Sequence, residues 1–223
     1  MIDVSGVTKS YRTQNSEVFA VDNVQFEVRS GDFVMILGRS GCGKSTLLGM
    51  LAGLIRPTAG AIRLNGQEIW TLSEADRAGC RAKEIGFVFQ FSGLIPTLTA
   101  LENVMLPTLF LPNGAEGRLK ARALLERVRM SDRADAYPMT LSSGEMKRVA
   151  IARALINDPS LIIADEPTGD LDVDTEYEIM ELFKELNNQG TTIIMVTHNP
   201  ELVPYATRTY RMDRGKVNTS EPF

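Results

Sequence analysis

The residues best suited to chemistry in this chain are a lysine and three hydroxyls set among glycines: Gly38, Arg39, Ser40, Gly41, Cys42, Gly43, Lys44, Ser45 and Thr46. Glycines at 38, 41 and 43 permit positive φ and keep side chains out of the way, so successive N–H groups can turn inward around an anion. Lys44 would then offer a mobile charge to the outer phosphates, and the Ser45 hydroxyl would ligate a magnesium ion. Gly38, Gly43, Lys44 and Ser45 fall at the spacing G-x-x-x-x-G-K-S, which predicts binding of a nucleoside triphosphate. A glycine-rich turn with no ligand is the alternative, and it leaves the lysine and the hydroxyl unexplained.

Two carboxylates come next. In "LIIADEPTGDLD" (161–172) four apolar residues lead directly to Asp165 and Glu166, and Pro167 ends the run. Ligands of open α/β sheets bind at the carboxyl ends of strands, where Asp165 could reach magnesium through water and Glu166 could orient or deprotonate an attacking water. The alternative is that the pair merely caps the next helix. "TTIIMVTHNPE" (191–201) is a β-branched strand ending at His198, the only histidine, placed for a role at the γ-phosphate. Gln90 ends the run Ile85 to Phe89, where an amide could contact magnesium or the water. Finally, Ser142-Ser143-Gly144-Glu145 has the S-x-x-E form of a capping box, and the helix start it opens is a second anion-ready terminus. One chain with two such termini suggests that the second serves a nucleotide held by another copy.

Strands and helices must deliver these groups. Strand-like runs fall at Ile2–Val7, Val24–Val28, Phe33–Leu37, Ala61–Leu64, Ile85–Phe89, Leu161–Ala164, Thr192–Val196 and Thr209–Met212. Early strands without intervening helices, then strand–helix alternation, predict an antiparallel layer on a parallel α/β core. No strand is expected from Phe91 to Thr140. A capping box at Thr99–Glu102 opens one helix there, and Leu119, Ala123, Leu124 and Val128 mark the apolar face of another over Glu116–Met130. This predicts a helical subdomain, 91–140, inserted into a core of residues 1–90 and 141–223. Pro107, Pro112, Asn113 and Gly114 separate its helices, and the tail from Asn218 is expected to fray.

Composition narrows the function. A net charge of −4 and a pI near 5.2 argue against nucleic acid as a partner. Two cysteines, one of them inside the glycine loop, are too few for a disulfide scaffold and suit a reducing compartment. No run approaches the ~20 apolar residues that span a bilayer, and the first residues lack signal-peptide character, so a membrane role would go through a partner.

Taken together, these motifs resemble the nucleotide-binding subunit of an ATP-binding cassette (ABC) transporter. The resemblance implies an α/β P-loop NTPase fold of ABC type, with a mixed sheet, flanking helices, an antiparallel layer and the helical lobe. It makes Tyr11 the adenine-stacking aromatic, Gly38–Thr46 the Walker A loop and Gln90 the Q-loop residue. Leu141–Glu145 becomes the signature, Leu161–Glu166 the Walker B strand with Glu166 catalytic, Gly169–Asp172 the D-loop and His198 the switch histidine. ATP and Mg2+ are the implied cofactors, with Ser45, Gln90 and Asp165 at the metal. Two copies would sandwich two ATP molecules between Walker A of one and the signature of the other. The stretches "VTKSYR", "ALENVMLP" and "RVAIARAL" are similar to the LolD, MacB and FtsE branch, which implies a peripheral subunit on the cytoplasmic face of the inner membrane, bound to integral membrane permease subunits. That branch covers export and lipoprotein release, with cell-envelope regulation as an alternative. Ser143 departs from the usual S-G-G and puts a side chain where backbone should approach phosphate, leaving a low-turnover regulator as a further alternative. The segment after Gln90, with Phe91, Leu94, Ile95, Leu98 and Leu101, is expected to form the permease-docking groove. A small-molecule kinase would explain neither the signature nor His198, and a soluble ABC protein of DNA repair or translation would need long insertions or a second cassette.

Overall fold

The computed structural model describes residues 1–12, 16–110 and 117–219. In chain order its strands are β1 (Ile2–Arg12), β2 (Glu17–Val28), β3 (Phe33–Leu37), β4 (Ala59–Leu64), β5 (Gln67–Glu68), β6 (Ile85–Val88), β7 (Leu161–Asp165), β8 (Thr192–Thr197), β9 (Arg208–Asp213) and β10 (Lys216–Thr219). The helices are α1 (Lys44–Leu51), α2 (Glu74–Glu84), α3 (Ala100–Met105), α4 (Gly117–Arg127), α5 (Ser143–Leu155) and α6 (Val173–Asn188).

Two sheets form. One is antiparallel, in the order β2-β1-β4-β5, and the other runs β10-β9-β3-β8-β7-β6, parallel except for the β9–β10 hairpin. The central strands are apolar without alternation because both their faces are covered. Along β3, Val34 and Ile36 pack with Leu47 and Leu48 of α1 and with Ile2, Val4 and Ile62 of the antiparallel sheet. Phe33 and Met35 point the other way, into a core shared with Val149 of α5, Phe183 of α6, Leu101 and Val104 of α3, and Leu125 of α4. The parallel sheet is thus the middle layer, with α3, α4, α5 and α6 on one side and α1 with the antiparallel sheet on the other.

Register positions the site. Leu37 of β3 pairs with Thr197 of β8, and Val196 of β8 pairs with Asp165 of β7, so three neighbouring strands end at one level. The glycine loop, Glu166 and His198 are the residues that follow those three ends.

The expected strands are all present, with differences at their margins. β1 and β2 extend beyond their apolar runs to a hairpin end where Tyr11 pairs with Val18, because cross-strand hydrogen bonds hold residues that burial does not. β5 and β10 are too short for periodicity to reveal, and β10 takes in Asn218 and Thr219, which were expected to fray. Helix α2 buries none of its residues, so it lacks an apolar stripe; Ser73 caps it by accepting from the Asp76 amide, and Glu74 pairs with Arg77 and Arg81. In α4 the buried face is Ala121, Leu124 and Leu125, continued by Val128, whereas Leu119 and Ala123 are exposed; the stripe is rotated from the expected one. Pro107 lies in a 3-10 turn at Leu106–Phe110, while Pro112, Asn113, Gly114 and Glu116 fall outside the described residues. Leu101 is buried in the core and cannot line a groove, whereas Phe91 is 77% exposed.

Candidate active site

The glycine loop leaves β3 at Leu37 and enters α1 through Gly43, whose φ of 110° serves as the N-cap with no side chain capping it. The first amides of α1 therefore keep their donors for a ligand, and the helix dipole favours an anion there. Gly43 is obligatory for a second reason: a Cβ on it would run into the carbonyl oxygen of Ala20 in β2. The loop is also wired to its surroundings by the Gly38 amide on the Thr197 carbonyl (3.3 Å) and the Gly215 amide on the Cys42 carbonyl (2.9 Å).

Lys44 is 5% exposed and curls back over the loop, donating to the carbonyls of Gly38 (2.8 Å) and Arg39 (3.1 Å). Its ammonium also lies 3.2 Å from Glu166 Oε1, and the other carboxylate oxygen, Oε2, lies 3.0 Å from His198 Nδ1. Lys44, Glu166 and His198 thus form one chain across the ends of β3, β7 and β8. Glu166 takes a left-handed conformation (φ 42°), which is costly for a residue with a Cβ. The surrounding backbone holds it there: its amide donates to the Val196 carbonyl (3.0 Å), and its carbonyl accepts from the Gly169 amide (3.3 Å).

Asp165 ends β7 with its Oδ1 buried and without a hydrogen-bond partner. Burial pushes its carboxyl above the ordinary value and the Glu166 charge adds to this, while the Ser45 hydroxyl and the Lys44 and Lys147 ammonium groups oppose it. An orphaned oxygen on a carboxylate held at such a cost, beside a hydroxyl, fits a hard cation, and magnesium is usually bound by only one or two carboxylates together with substrate phosphates. Asp165 and Glu166 cap no helix: α6 is capped by Asp172, which accepts from the Thr175 amide and whose carboxyl that bond holds below its ordinary value.

The remaining residues lie around this centre in different elements. Gln90 follows the end of β6, and its carbonyl accepts from the buried Lys147. Tyr11 is exposed near the end of β1, with the Lys9 ammonium 5.3 Å from its ring centroid. The capping box of α5 is complete, with Ser142 Oγ accepting from the Glu145 amide (3.2 Å) and Glu145 Oε2 accepting from the Ser142 amide (2.8 Å). That backbone bond and the Arg133 guanidinium hold the Glu145 carboxyl below its usual range. Ser142 and Ser143 are exposed, while Gly144 is buried so close to Thr175 that a Cβ would stand 2.6 Å from its Cγ2. The contacts of Ser142–Glu145 thus run to Arg133 and to Thr175 of α6.

The profile of the ABC transporter family matches residues 21–169. The chain belongs to the ABC transporter family. It is similar to an uncharacterised ABC transporter ATP-binding protein of Methanocaldococcus jannaschii, 46% identical over 97% of each chain. It is also 43% identical to the macrolide export ATP-binding/permease protein MacB of Syntrophobacter fumaroxidans, matching over 97% of its own length but spanning only 31% of that relative. Among solved structures, a dimeric, post-hydrolysis state of the ATP-binding cassette MJ0796 bound to ADP and Pi superposes with a TM-score of 0.91, at 38% identity and full coverage of both chains. This ABC chain is an ATPase. Among its described residues no helix is long and apolar enough to cross a membrane.

Two features escaped the sequence. The left-handed Glu166 has no signature in residue type, since glutamate is not a residue that favours positive φ. Lys147 reads as one more surface cation in a helix, yet it is 4% exposed. The order in which β3, β8 and β7 neighbour each other, which shows what it faces, is a tertiary fact.

Proposed function

We propose that this subunit powers a membrane transporter by hydrolysing ATP in sites shared between two copies. The observation that carries the reading is the Lys44–Glu166–His198 chain at the aligned strand ends. Lys44 and the amides of Gly38–Thr46 bind the phosphates, and Tyr11 stacks on the adenine. Glu166 accepts the proton of the attacking water, with His198 orienting it and reaching the γ-phosphate. Asp165, Ser45 and Gln90 would hold a magnesium ion, which when bound neutralises charge on the phosphate oxygens. Ser142, Ser143, Gly144 and Glu145 complete the phosphate site of the second copy; the dimeric state of MJ0796 supports that arrangement. The similarity to MacB supports a LolD- or MacB-like role in export or lipoprotein release, with permease subunits holding this chain at the cytoplasmic face of the membrane. Exposed Phe91 and Ile95, just after Gln90, suit a permease contact.

Complementation tests the shared site. Lys44→Ala removes the phosphate cation, and Ser143→Glu adds a charge at an exposed helix start that tolerates it, repelling phosphate without harming the fold. Each variant alone should be inactive. A mixture of the two regains hydrolysis, because one of the two composite sites in a mixed dimer is then intact. A Ser143→Glu variant that hydrolyses ATP normally by itself would show that a chain needs no second copy, and a mixture of folded variants that stays inactive would overturn the shared site.

A further inference from the structure

Residues 89–93, which leave the sheet after β6, are hung on helix α5 by side chains. Lys147 donates to the carbonyl of Phe89 (3.1 Å) and to that of Gln90. Arg153, further along the helix, spreads its guanidinium over the next pair, the carbonyls of Ser92 (2.7 Å) and Gly93 (2.6 Å). The Ser92 hydroxyl also reaches Met146 Sδ at 3.9 Å. Four main-chain carbonyls that have left the β ladder thereby regain donors.

Lys147 is an expensive way to do this. Its ammonium is buried, its hydrogen-bond partners are carbonyls, and burial depresses its pKa despite the charges of Asp170 and Asp165. Burying an ammonium without an adjoining carboxylate is costly, and an apolar side chain would fill the same space more cheaply. What the ammonium supplies is two donors aimed at the residues on either side of the Phe89–Gln90 peptide bond. The same helix begins at Ser142–Glu145, the candidate signature.

We propose that Lys147 and Arg153 are positioning residues for the ATPase reaction: they fix the Gln90 turn to the signature helix, so that the turn serving this chain's nucleotide and the terminus serving the other copy's move as one body. The inference rests on the role assigned above to Gln90. Lys147 acts through its hydrogen bonds and not as a charge beside Asp165, and the two roles have opposite consequences. Loss of a positive charge near Asp165 would strengthen magnesium binding, whereas loss of the anchor misplaces Gln90 and weakens it.

The experiment has two arms. In the nucleotide- and metal-free subunit, amide hydrogen exchange is followed over residues 89–93 in wild type, Lys147→Met, Lys147→Arg and Arg153→Met. Both methionine variants should exchange there about tenfold faster or more, as expected for losing hydrogen bonds to a charged donor, while Lys147→Arg stays near wild type. Unchanged exchange in Lys147→Met would overturn the proposal. In the second arm, the magnesium concentration giving half-maximal hydrolysis is compared for Gln90→Ala and Lys147→Met, with ADP binding confirming that each is folded. Both should require about 10- to 100-fold more magnesium, the usual cost of losing a metal ligand's support. A normal requirement in Gln90→Ala defeats the role of Gln90 and leaves the exchange arm to decide the clamp. A raised requirement in Gln90→Ala with an unchanged or lowered one in Lys147→Met defeats the proposal itself.

Discussion

Replacing Glu166 with glutamine should do more than stop hydrolysis; it should tighten ATP binding. The Lys44 ammonium lies 3.2 Å from Glu166 Oε1. At that distance two unit charges attract by about 5 kcal/mol for an effective dielectric constant of about 20. Much of this survives the substitution, because Lys44 keeps the Gly38 and Arg39 carbonyls and the glutamine oxygen still accepts. The net loss should be about 1–3 kcal/mol, the range for hydrogen bonds to charged groups. A chain of this size changes its melting temperature by about 2–4 °C per kcal/mol, so the free variant should melt roughly 2–12 °C below wild type. ATP offers Lys44 new anionic partners, and wild type must first give up Glu166 to accept them. The variant should therefore bind ATP without magnesium up to about tenfold more tightly, and be stabilised by it more than wild type is. Its turnover should fall by about 10²- to 10⁴-fold, as for loss of a general base. Calorimetric titration, thermal melts with and without ATP, and phosphate release measure the three quantities. Equal affinity and equal melting temperature would show that the Lys44–Glu166 pair carries no net energy. Wild-type turnover would remove Glu166 from catalysis.

Three further outcomes are expected. Gly43→Ala should lose nucleotide binding and melt at a markedly lower temperature, since its Cβ meets the Ala20 carbonyl at a φ of 110°; a variant with normal affinity in a binding titration would refute that packing argument. Because the Asp165 carboxyl is raised in the folded protein, its ionisation opposes folding: metal-free stability should fall as pH rises from the ordinary carboxylate value, about 4, through the raised one. Asp165→Asn should flatten that part of the melting profile, standing above wild type at neutral pH and converging with it in acid, and adding magnesium with ATP should rescue wild type alone. Phe91→Ser with Ile95→Ser should keep ATP binding yet abolish recruitment to membranes containing the permease; a double variant still found in the membrane fraction would place the contact elsewhere.

What the sequence disclosed follows from where its signals come from. Unbroken apolar runs revealed β3, β7 and β8 because both faces of that sheet are covered, and capping boxes revealed the starts of α3 and α5 because they are purely local. Helix α2 goes unseen for the converse reason: none of its residues is fully buried, and only Ser73 with Asp76 marks it. The face of α4 was misplaced because Leu119 and Ala123 satisfy helical spacing equally well, and only packing against α3 and α5 selects Ala121 and Leu125. In the site, glycines and carboxylates announced themselves by type and spacing. The contact between Glu166 and Lys44 could not, since it depends on β3 and β7 both flanking β8.

The close fit between Gly43 and Ala20 has a consequence for how this protein can be divided or rebuilt. The carbonyl of Cys42 is tied to Gly215, and the Gly215 carbonyl in turn takes the Asp22 amide of β2, so the β2 strand and the β9–β10 turn together form the mould in which the glycine loop is cast. An excised α/β core would retain Lys44, Glu166 and His198 and still lack a loop of the right shape. Any graft of this nucleotide site onto another scaffold has to carry the β2 hairpin with it, although the residues that shape the mould, Ala20 and Asp22, bear none of the groups assigned to the chemistry.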